Sequence, residues 1–292
     1  MKKQKIIIAV LLFAFLILSN IWCSYNLLKV NTYTYTTDKV NQPIKAVVIA
    51  DLHDHSFGKD NERLLHKIKE LNPDIVLMTG DFVNGNSQNA NKTYTIVKEL
   101  VKDYPVYYSL GNHEIDYMNY HHDTEQELLK NVSDLGATVL EKEFVDITVK
   151  NNQLRIGGMY DYAFGLDDFN TAESAPKEIK NFLYEFEDTD ALKIMLAHRP
   201  DSFIFGDASS YWDIDLVISG HNHGGQFVVP FLGGLYGGDQ GYFPKYIHGL
   251  YPKDKMHIFI TSGLGSHIQK LPRFNNIPEI ALIQIEPSVK GQ

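Results

Sequence analysis

The hydrophobic positions in the first half of the chain alternate between two patterns. Continuous apolar runs at 44–50, 75–78 and 106–110 predict buried strands of a largely parallel sheet, because such strands are covered on both faces. Between these runs, apolar residues recur with helical spacing at 64–71 and 94–101. The alternation therefore predicts an α/β domain built from strand–helix–strand units.

The second half of the chain is richer in strands. A helical pattern at 125–135 ends the first half, and strands at 138–150 and 154–160 flank Asn151-Asn152, a pair that favours a hairpin. Another helix is predicted at 179–186, and further strands are predicted at 192–197, 216–219, 257–261 and 280–285. Together the two halves predict two packed β-sheets with helices on their outer faces.

The chain begins with a basic segment and then a strongly apolar one. Lys2, Lys3 and Lys5 precede an unbroken apolar run at 6–18, and no charged residue follows until Lys29. At about 1.5 Å per residue, this stretch can cross a bilayer core of about 30 Å. The lysines favour a cytoplasmic amino terminus, so we expect a single-pass anchor in the cell membrane with the domain outside the cytoplasm. A cleaved signal peptide is the alternative, although no small-residue cleavage pattern follows the run.

These patterns divide the chain into four parts. We predict a transmembrane segment at 1–29, a connector at 30–43, one large domain at 44–286 and a short tail at 287–292. The connector is polar and rich in threonine and tyrosine, which is typical of an extended linker or of an edge strand.

Composition and charge exclude some classes of function. The net charge of −9 argues against a protein that binds nucleic acid by neutralising phosphates, so no nucleic-acid partner is expected. Cys23 is the single cysteine, so neither an intramolecular disulfide nor a thiolate metal cluster can form. Any metal must then be bound by oxygen and imidazole ligands, which favours Mn, Fe or Zn.

Polar side chains follow several of the predicted buried strands. Asp51, Asp81 and Asn112 come directly after the first three, at separations that match one strand–helix–strand unit. His198 and His221 follow two later strands in the same way. Because right-handed crossovers bring the carboxyl ends of parallel strands to one sheet edge, we expect these side chains to meet there.

Two short motifs strengthen the case for metal ions. Two pairs of residues stand two positions apart in the sequence: Asp51 and His53, and His221 and His223. The side chains of each pair can therefore point to the same side and bind one ion. Glycines precede Asp81, Asn112 and His221, where the backbone must approach the site closely. A bridging carboxylate could hold two ions about 3.5–4 Å apart. At this spacing, two ions can bind the attacking and the leaving oxygen in phosphoryl transfer.

Five blocks in chain order resemble the calcineurin-like metallophosphoesterase family, over a region that runs from about residue 44 to the last strand. The blocks are Asp51-Leu52-His53, Gly80-Asp81, Gly111-Asn112-His113-Glu114, Ala197-His198 and Gly220-His221-Asn222-His223. The segment 220–226 is also similar to bacterial membrane-associated phosphoesterases of the YkuE and YaeI type. The resemblance implies a four-layer α/β fold with two mixed sheets packed as a sandwich.

The resemblance also implies a role for each matching residue. Asp81 would bridge two divalent ions, and a hydroxide activated by these ions would attack the phosphoester. His113 would act as general acid or oxyanion stabiliser, oriented by Glu114. The first ion would be bound by Asp51, His53 and His223, and the second by Asn112, His198 and His221.

The predicted function is metal-dependent hydrolysis of a phosphomonoester or phosphodiester. The anchor points to a substrate linked to lipid or to the cell envelope. Two alternatives remain: a non-catalytic envelope protein that binds ligands on a phosphoesterase scaffold, and a nucleotide or nucleic-acid phosphodiesterase.

Some residues near the predicted site have two interpretations. His248 and His267 could contact substrate or be structural, and Arg199 and Arg273 could bind phosphate or form surface ion pairs. The segment 227–251 is rich in glycine and aromatic residues, which is typical of a lid, a lipid-facing rim or a long packed loop.

Overall fold

The computed structural model describes residues 2–122, 125–159, 171–266 and 271–288. The helices are α1 (Lys2–Asn26), α2 (Glu62–Leu71), α3 (Asn91–Leu100), α4 (Asn112–Tyr120), α5 (Glu125–Asp134), α6 (Lys177–Glu187), α7 (Asp201–Ile204) and α8 (Ala208–Tyr211). The strands are β1 (Lys29–Thr37), β2 (Ile44–Ile49), β3 (Ile75–Thr79), β4 (Val106–Ser109), β5 (Thr138–Leu140), β6 (Glu143–Val149), β7 (Asn152–Met159), β8 (Leu192–Ala197), β9 (Leu216–Ser219), β10 (Val228–Val229), β11 (Gly233–Gly234), β12 (Gly249–Lys253), β13 (Met256–Ile260) and β14 (Glu279–Pro287).

Two six-stranded mixed sheets form the body of the domain. The first has the order β1-β14-β2-β3-β4-β5, in which β2 to β5 are parallel and β14 is antiparallel to β2. The second has the order β12-β13-β9-β8-β7-β6, with a parallel centre and antiparallel pairs at both edges. The parallel strands of both sheets therefore carry their carboxyl ends toward one end of the sandwich.

The alternation of side chains along β2 shows why the sheets stack in four layers. Val47 and Ile49 pack on one face with the apolar residues of α2 and α3. Ala46 and Val48 pack on the other face against residues of the second sheet, such as Ile194. The outer face of the second sheet is covered by α6, α7 and α8. Since successive residues of a strand face opposite sides, one apolar run contributes to two cores. The predicted sandwich with outer helices is confirmed.

Two local predictions need correction. The sequence predicted one strand at 138–150, but the chain turns at Lys142, whose φ is 52°, and splits it into β5 of the first sheet and β6 of the second. The predicted hairpin is formed by β6 and β7, with its turn at Lys150 and Asn151. Helix α4, which begins at Asn112, was not predicted, because only a short and weakly amphipathic segment separates β4 from α5.

The amino-terminal helix α1 continues almost directly into the domain. Its 25 residues have a mean hydropathy of 2.7 over the most apolar window, so α1 is long and apolar enough to cross a membrane. Strand β1 begins three residues after α1 ends and pairs along its whole length with β14. Of the two interpretations of the connector, the structure shows the edge strand.

Candidate metal centre

The two sheets are tied together where the predicted site residues lie. The hydroxyl of Thr79, the last residue of β3, donates to the carbonyl oxygen of Ile218 in β9 at 3.3 Å. The hydroxyl of Ser109, the last residue of β4, donates to the carbonyl oxygen of Leu196 in β8 at 3.2 Å. Polar strand ends thus hold the carboxyl edges of both sheets in contact, and the loops that follow them converge.

Those loops bring six of the seven predicted ligands together, with His113. The side-chain nitrogen and oxygen atoms form three groups, and within each group the atoms lie within 4.8 Å of one another. The groups are Asp51, His53 and His223; His53, Asp81 and His113; and Asp81, His198 and His221. The predicted seventh ligand, Asn112, begins α4 directly after Gly111, and its Oδ1 accepts from Nε of Arg199 at 3.4 Å.

Hydrogen bonds fix the histidine rings of this cluster. Nδ1 of His53 contacts Oδ1 of Asn84 at 3.0 Å, and Nδ1 of His198 donates to the carbonyl oxygen of Thr79 at 2.8 Å. Nε2 of His198 then lies 3.0 Å from Oδ2 of Asp81. Such outer hydrogen bonds set the tautomer and orientation of imidazoles that bind metals.

Some buried polar atoms of the cluster have no hydrogen-bond partner among the described residues. Oδ2 of Asp51 and Nδ1 of His223 are examples. A buried carboxylate oxygen or imidazole nitrogen that lacks a partner is costly, so such atoms call for a bound ion or water. A set of carboxylate and imidazole donors suits a divalent transition metal, and the residues present therefore fit a metal centre.

The electrostatics of the cluster also suit cations. Burial lowers the pKa of His53 to about 3 and lowers the pKa of His221 and His223, so these rings are neutral and able to ligate. Burial raises the pKa of Asp51 to about 7. Burial opposes charge at His198 too, but the Asp81 carboxylate beside it raises its pKa to about 9. A cation bound there would displace the proton held by His198.

The backbone of the cluster is unusual. Five of the predicted ligands have left-handed backbone angles, with φ between 45° and 69°: Asp51, His53, Asp81, His221 and His223. Aspartate and histidine tolerate this region better than most residues, but each instance still costs about 1–2 kcal/mol. Residues held in this way concentrate at functional sites, where surrounding contacts maintain them.

Glycines allow the backbone to approach the carboxylates. A Cβ atom on Gly111 would lie 2.2 Å from Oδ1 of Asp81, and one on Gly220 would lie 2.5 Å from Oδ2 of Asp51. The close approach that the sequence predicted before Asn112 and His221 is therefore present, and alanine cannot replace either glycine without displacing a carboxylate.

The buried carboxylate of Glu114 organises the loops of the site. It accepts from the backbone N–H groups of Asp81, Phe82 and Gly111 at 2.7, 2.7 and 2.8 Å. The hydroxyl of Tyr108 also donates to it at 2.9 Å. Glu114 was expected to orient the ring of His113. These contacts show that it acts on the backbone around Asp81 and Gly111 instead.

We expect Glu114→Gln to lower the free energy of unfolding by about 3 kcal/mol, because an amide NH₂ would face buried N–H donors. Tyr108→Phe, which removes one donor and leaves the other three bonds, should cost about 1 kcal/mol. Urea unfolding of the metal-free protein measures both values. Equal losses in the two variants would contradict this role of Glu114.

The ring of His113 stands edge-on to the ring of His53, with centroids 4.7 Å apart. The backbone N–H of Gly85 donates to Nδ1 of His113 at 3.3 Å. A neutral His113 ring that accepts at Nδ1 carries its proton on Nε2. His113 also lines the cleft above the cluster, so this proton is available to a molecule bound there.

The cleft has a volume of ≈ 370 Å³ and is lined partly by residues that the sequence did not single out. Its lining consists of Asp81, His113, Asp116, His221, His223, Gln226, Tyr236, Gly238, Asp239 and Leu271. Oδ2 of Asp239 lies 2.9 Å from Nε2 of His221 and 3.8 Å from Nε of Arg199. The loop that carries Asp239 has no metal-binding motif, so only tertiary structure reveals that Asp239 fixes the His221 ring.

Other candidates from the sequence have different positions. Arg273 is fully buried, and its guanidinium donates to the carbonyl oxygens of Gly265, Ser262 and Asn276 at 2.6–2.8 Å. Both interpretations of Arg273, as a phosphate ligand or as a surface partner, are therefore wrong. His248 does not line the cleft, and His267 lies outside the described residues.

Asp201 is a buried carboxylate next to the site. It is 1% exposed, and neither of its oxygens has a hydrogen-bond partner among the described residues. Burial, and to a lesser extent the negative charge of Asp239, raises the pKa of Asp201 to about 7. The folded state therefore holds a proton that the unfolded chain releases near pH 4, and this contribution to stability is lost as the pH rises toward and through 7.

We expect Asp201→Asn to be more stable than the wild type at pH 8 by about 2 kcal/mol and to match it near pH 4. Urea unfolding at several pH values checks this difference. Asp60→Asn, at an exposed carboxylate, provides the control for the change in net charge. If the free energies of unfolding of the wild type and of Asp201→Asn changed in parallel with pH, the raised pKa of Asp201 would be refuted.

Comparison with known proteins identifies the family. The sequence profile described as "Calcineurin-like phosphoesterase" matches residues 44–225, which is more than half of the chain. An uncharacterized metallophosphoesterase of Campylobacter jejuni is 29% identical over 264 residues, which cover 88% of this chain and 63% of that protein. The chain thus spans less than two thirds of the length of this relative.

Two further relatives match over more of their length. The phosphodiesterase YaeI of Escherichia coli is 28% identical, with 83% of this chain and 82% of that protein covered. The uncharacterized metallophosphoesterase YkuE of Bacillus subtilis is 25% identical, with 83% and 79% covered. The chain therefore belongs to the calcineurin-like phosphoesterase family of metal-dependent hydrolases, in the group that contains YkuE- and YaeI-like proteins.

Proposed function

We propose that this protein hydrolyses phosphodiesters with two divalent ions, Mn, Fe or Zn, held where the carboxyl ends of the two sheets meet. The convergence of three ligand groups at the base of one cleft carries the proposal. Asp51, His53 and His223 would hold one ion, and Asn112, His198 and His221 the other. Asp81 stands between the two sets and would bridge them, since its carboxylate is near both His53 and His198.

The protein's own groups then have distinct tasks. When bound, the ions would act as Lewis acids and lower the pKa of an attacking water. Asp81 is held on both sides, because its Oδ1 accepts from the backbone N–H of His113 at 2.8 Å while Oδ2 faces His198. The Nε2–H of the neutral His113 ring would donate a hydrogen bond to the leaving oxygen and stabilise the charge that develops there, as an oxyanion stabiliser does.

The charge of the cleft favours a diester over a monoester. Among the residues that the structure describes, the lining of the cleft includes Asp116 and Asp239 in addition to the candidate ligands, and no lysine or arginine. These carboxylates repel a monoester dianion more strongly than a diester, which has one negative charge, and thus oppose the stronger attraction of the dianion to the ions. The relative YaeI, which is named a phosphodiesterase, agrees with this choice.

The contacts of α1 support action at a membrane. The carbonyl oxygens of Tyr25 and Asn26 at the end of α1 accept from the His55 ring and from Arg63, both at 2.7 Å. Cleavage of α1 would remove these contacts, which favours an uncleaved anchor. We therefore place the domain at the outer face of the cell membrane, with a substrate linked to lipid or to the envelope.

Turnover of bis-p-nitrophenyl phosphate by the full-length protein in detergent tests the activity. After chelation the protein should be inactive, and it should regain activity with Mn²⁺ or Zn²⁺ in proportion to bound metal. We expect kcat/KM for the diester to exceed that for p-nitrophenyl phosphate by about fivefold, since one added negative charge near the cleft carboxylates costs about 1 kcal/mol. Asp116→Asn, which removes one of the cleft carboxylates, should bring the ratio of the two kcat/KM values closer to one.

The same assay separates the alternatives. Tight metal binding without turnover of any diester or monoester would favour a non-catalytic binding protein. A preference for the monoester would refute the diester assignment and leave the metal centre intact. Much faster turnover of soluble nucleotides than of a lipid-linked diester would refute the membrane substrate.

A further inference from the structure

Four large apolar side chains are exposed on two turns of the segment 227–251. Phe231 is fully exposed and Leu232 is 70% exposed, at the tip of the hairpin formed by β10 and β11. Tyr242 is 66% and Phe243 is 63% exposed on a second turn nearby. We call these four residues the apolar rim. Grouped apolar side chains exposed in this way mark a surface that binds a partner or a membrane.

The backbone of the rim maintains this exposure at an energetic cost. Phe231 and Phe243 have φ values of 68° and 55°, in the left-handed region that bulky residues rarely adopt. The amide of Leu232 donates to the carbonyl oxygen of Val229 at 3.1 Å and closes the hairpin turn. Since neither burial nor backbone preference favours this arrangement, a role outside the folded chain explains it better than packing does.

Hydrogen bonds connect the hairpin to the end of α1 through a single short segment. The amide of Val228 in β10 donates to the carbonyl oxygen of Phe274 at 3.0 Å, and the Phe227 and Phe274 rings stack at 4.4 Å. The next amide, that of Asn275, donates to Oδ1 of Asn20 in α1 at 2.6 Å. The apolar hairpin therefore lies beside the last turns of the helix that would emerge from a bilayer.

The same contacts fix the level of the domain relative to the helix. Ser24 is buried, and its hydroxyl accepts from the amide of Asn276 at 3.3 Å, while the Tyr25 hydroxyl accepts from the amide of Arg273 at 2.9 Å. Trp22, which lies between Asn20 and Ser24, is 59% exposed, and tryptophan prefers the boundary between membrane and water. The segment 273–276 is therefore held at the depth of that boundary.

The rim also borders the mouth of the cleft. Tyr236, which lines the cleft, pairs through the backbone with Tyr242, and the amide of Phe243 donates to the carbonyl oxygen of Leu235 at 3.1 Å. Gln226, another lining residue, lies two residues before β10, the first strand of the hairpin. One wall of the cleft is thus continuous with both exposed turns.

We propose that the apolar rim inserts into the interface of the bilayer that α1 crosses, and that it holds the metal cleft against the lipid headgroups. This inference rests on the proposed membrane anchoring by α1. Exposed phenylalanine, leucine and tyrosine beside a spanning helix suit the interfacial region, where apolar side chains gain burial and tyrosine keeps its hydroxyl in water.

Tryptophan quenching by brominated lipids tests the depth of the rim. The full-length protein carrying Phe231→Trp and Trp22→Phe is reconstituted in phosphatidylcholine vesicles with bromines either near the headgroup or near the chain end. We expect the tryptophan introduced by Phe231→Trp to be quenched strongly by the shallow bromines and weakly by the deep ones. The same result is expected for Phe243→Trp in the Trp22→Phe background.

A matched variant controls for exposure alone. Tyr184 on α6 is 47% exposed and lies on the outer face of the second sheet, so Tyr184→Trp in the same background should not be quenched. Trp22 in the wild-type protein reports independently on the anchor, since the other tryptophan, Trp212, is fully buried.

The outcomes separate the rim from the anchor. If Trp22 is quenched while the Phe231→Trp variant behaves like the Tyr184→Trp variant, the anchor is correct and the rim does not insert. If the emission of the Phe231→Trp variant shifts to shorter wavelength without bromine quenching, the rim is covered by a protein surface or a second copy, and the proposal fails. If Trp22 is not quenched, the proposed membrane anchoring by α1 is refuted, and the proposal for the apolar rim, which depends on it, is refuted as well.

Discussion

Asp81→Asn should abolish metal-dependent turnover, with a fall in kcat/KM of about 10³-fold or more. Asp81 belongs to two of the three ligand groups, and its Oδ2 lies 3.6 Å from Nε2 of His53 and 3.0 Å from Nε2 of His198. An asparagine keeps the size of the side chain but removes the charge that would attract the two proposed ions. Its amide also has one oxygen where the carboxylate has two.

The measurement is metal content by mass spectrometry together with turnover of bis-p-nitrophenyl phosphate. We expect Asp81→Asn to retain less metal per chain than the wild type. Asp116→Asn is the matched control, because Asp116 lines the same cleft and loses the same charge but belongs to none of the ligand groups. Its activity should stay within about tenfold of the wild type. If Asp81→Asn had full metal content and near-normal turnover, Asp81 would not be the bridging ligand.

Much of the fold could be predicted from local patterns. Strands β2, β3, β8 and β9 fall within one or two residues of their predicted positions, because a buried parallel strand is a continuous apolar run bounded by polar or turn residues. Strand β14 could be recognised as a strand but not placed. Its position between β1 and β2 depends on pairing with residues almost the whole chain length away, which no local pattern encodes.

The convergence of the site residues also followed from topology, whereas its internal geometry did not. Asp51 and Asp81 follow neighbouring parallel strands of the first sheet and were expected to meet at its edge. His198 was expected at the same edge, but β8 belongs to the second sheet, and His198 meets the two aspartates because the carboxyl ends of the two sheets pack together. The left-handed backbone at Asp51 and the contact of Asp239 with His221 depend on distant segments. Whether these residues bind metal stays a prediction until the ions are measured.

His113→Asn should lower kcat by about 10²- to 10³-fold for a diester with an alkyl leaving group, because a hydrogen-bond donor to the leaving oxygen is lost. The expected loss is much smaller for a p-nitrophenyl leaving group, because p-nitrophenolate is a stable anion that needs little stabilisation. The reason lies in the position of the ring: Nδ1 accepts from Gly85, so Nε2–H is the donor that would stabilise the leaving oxygen. His121→Asn is the control, since His121 lies at the end of the same helix and its Nε2 contacts the carbonyl oxygen of Ser87.

Metal content decides between two roles for His113. A ring nitrogen of His113 lies within 4.8 Å of a ring nitrogen of His53 and of a carboxylate oxygen of Asp81, so His113 could be a ligand rather than a donor to the leaving oxygen. A donor to the leaving oxygen predicts unchanged metal content and a loss that grows as the leaving group becomes more basic. A ligand predicts less bound metal and an equal loss for every leaving group. The dependence of the loss on the pKa of the leaving group therefore distinguishes stabilisation of the leaving oxygen from ion binding, which a single activity value cannot do.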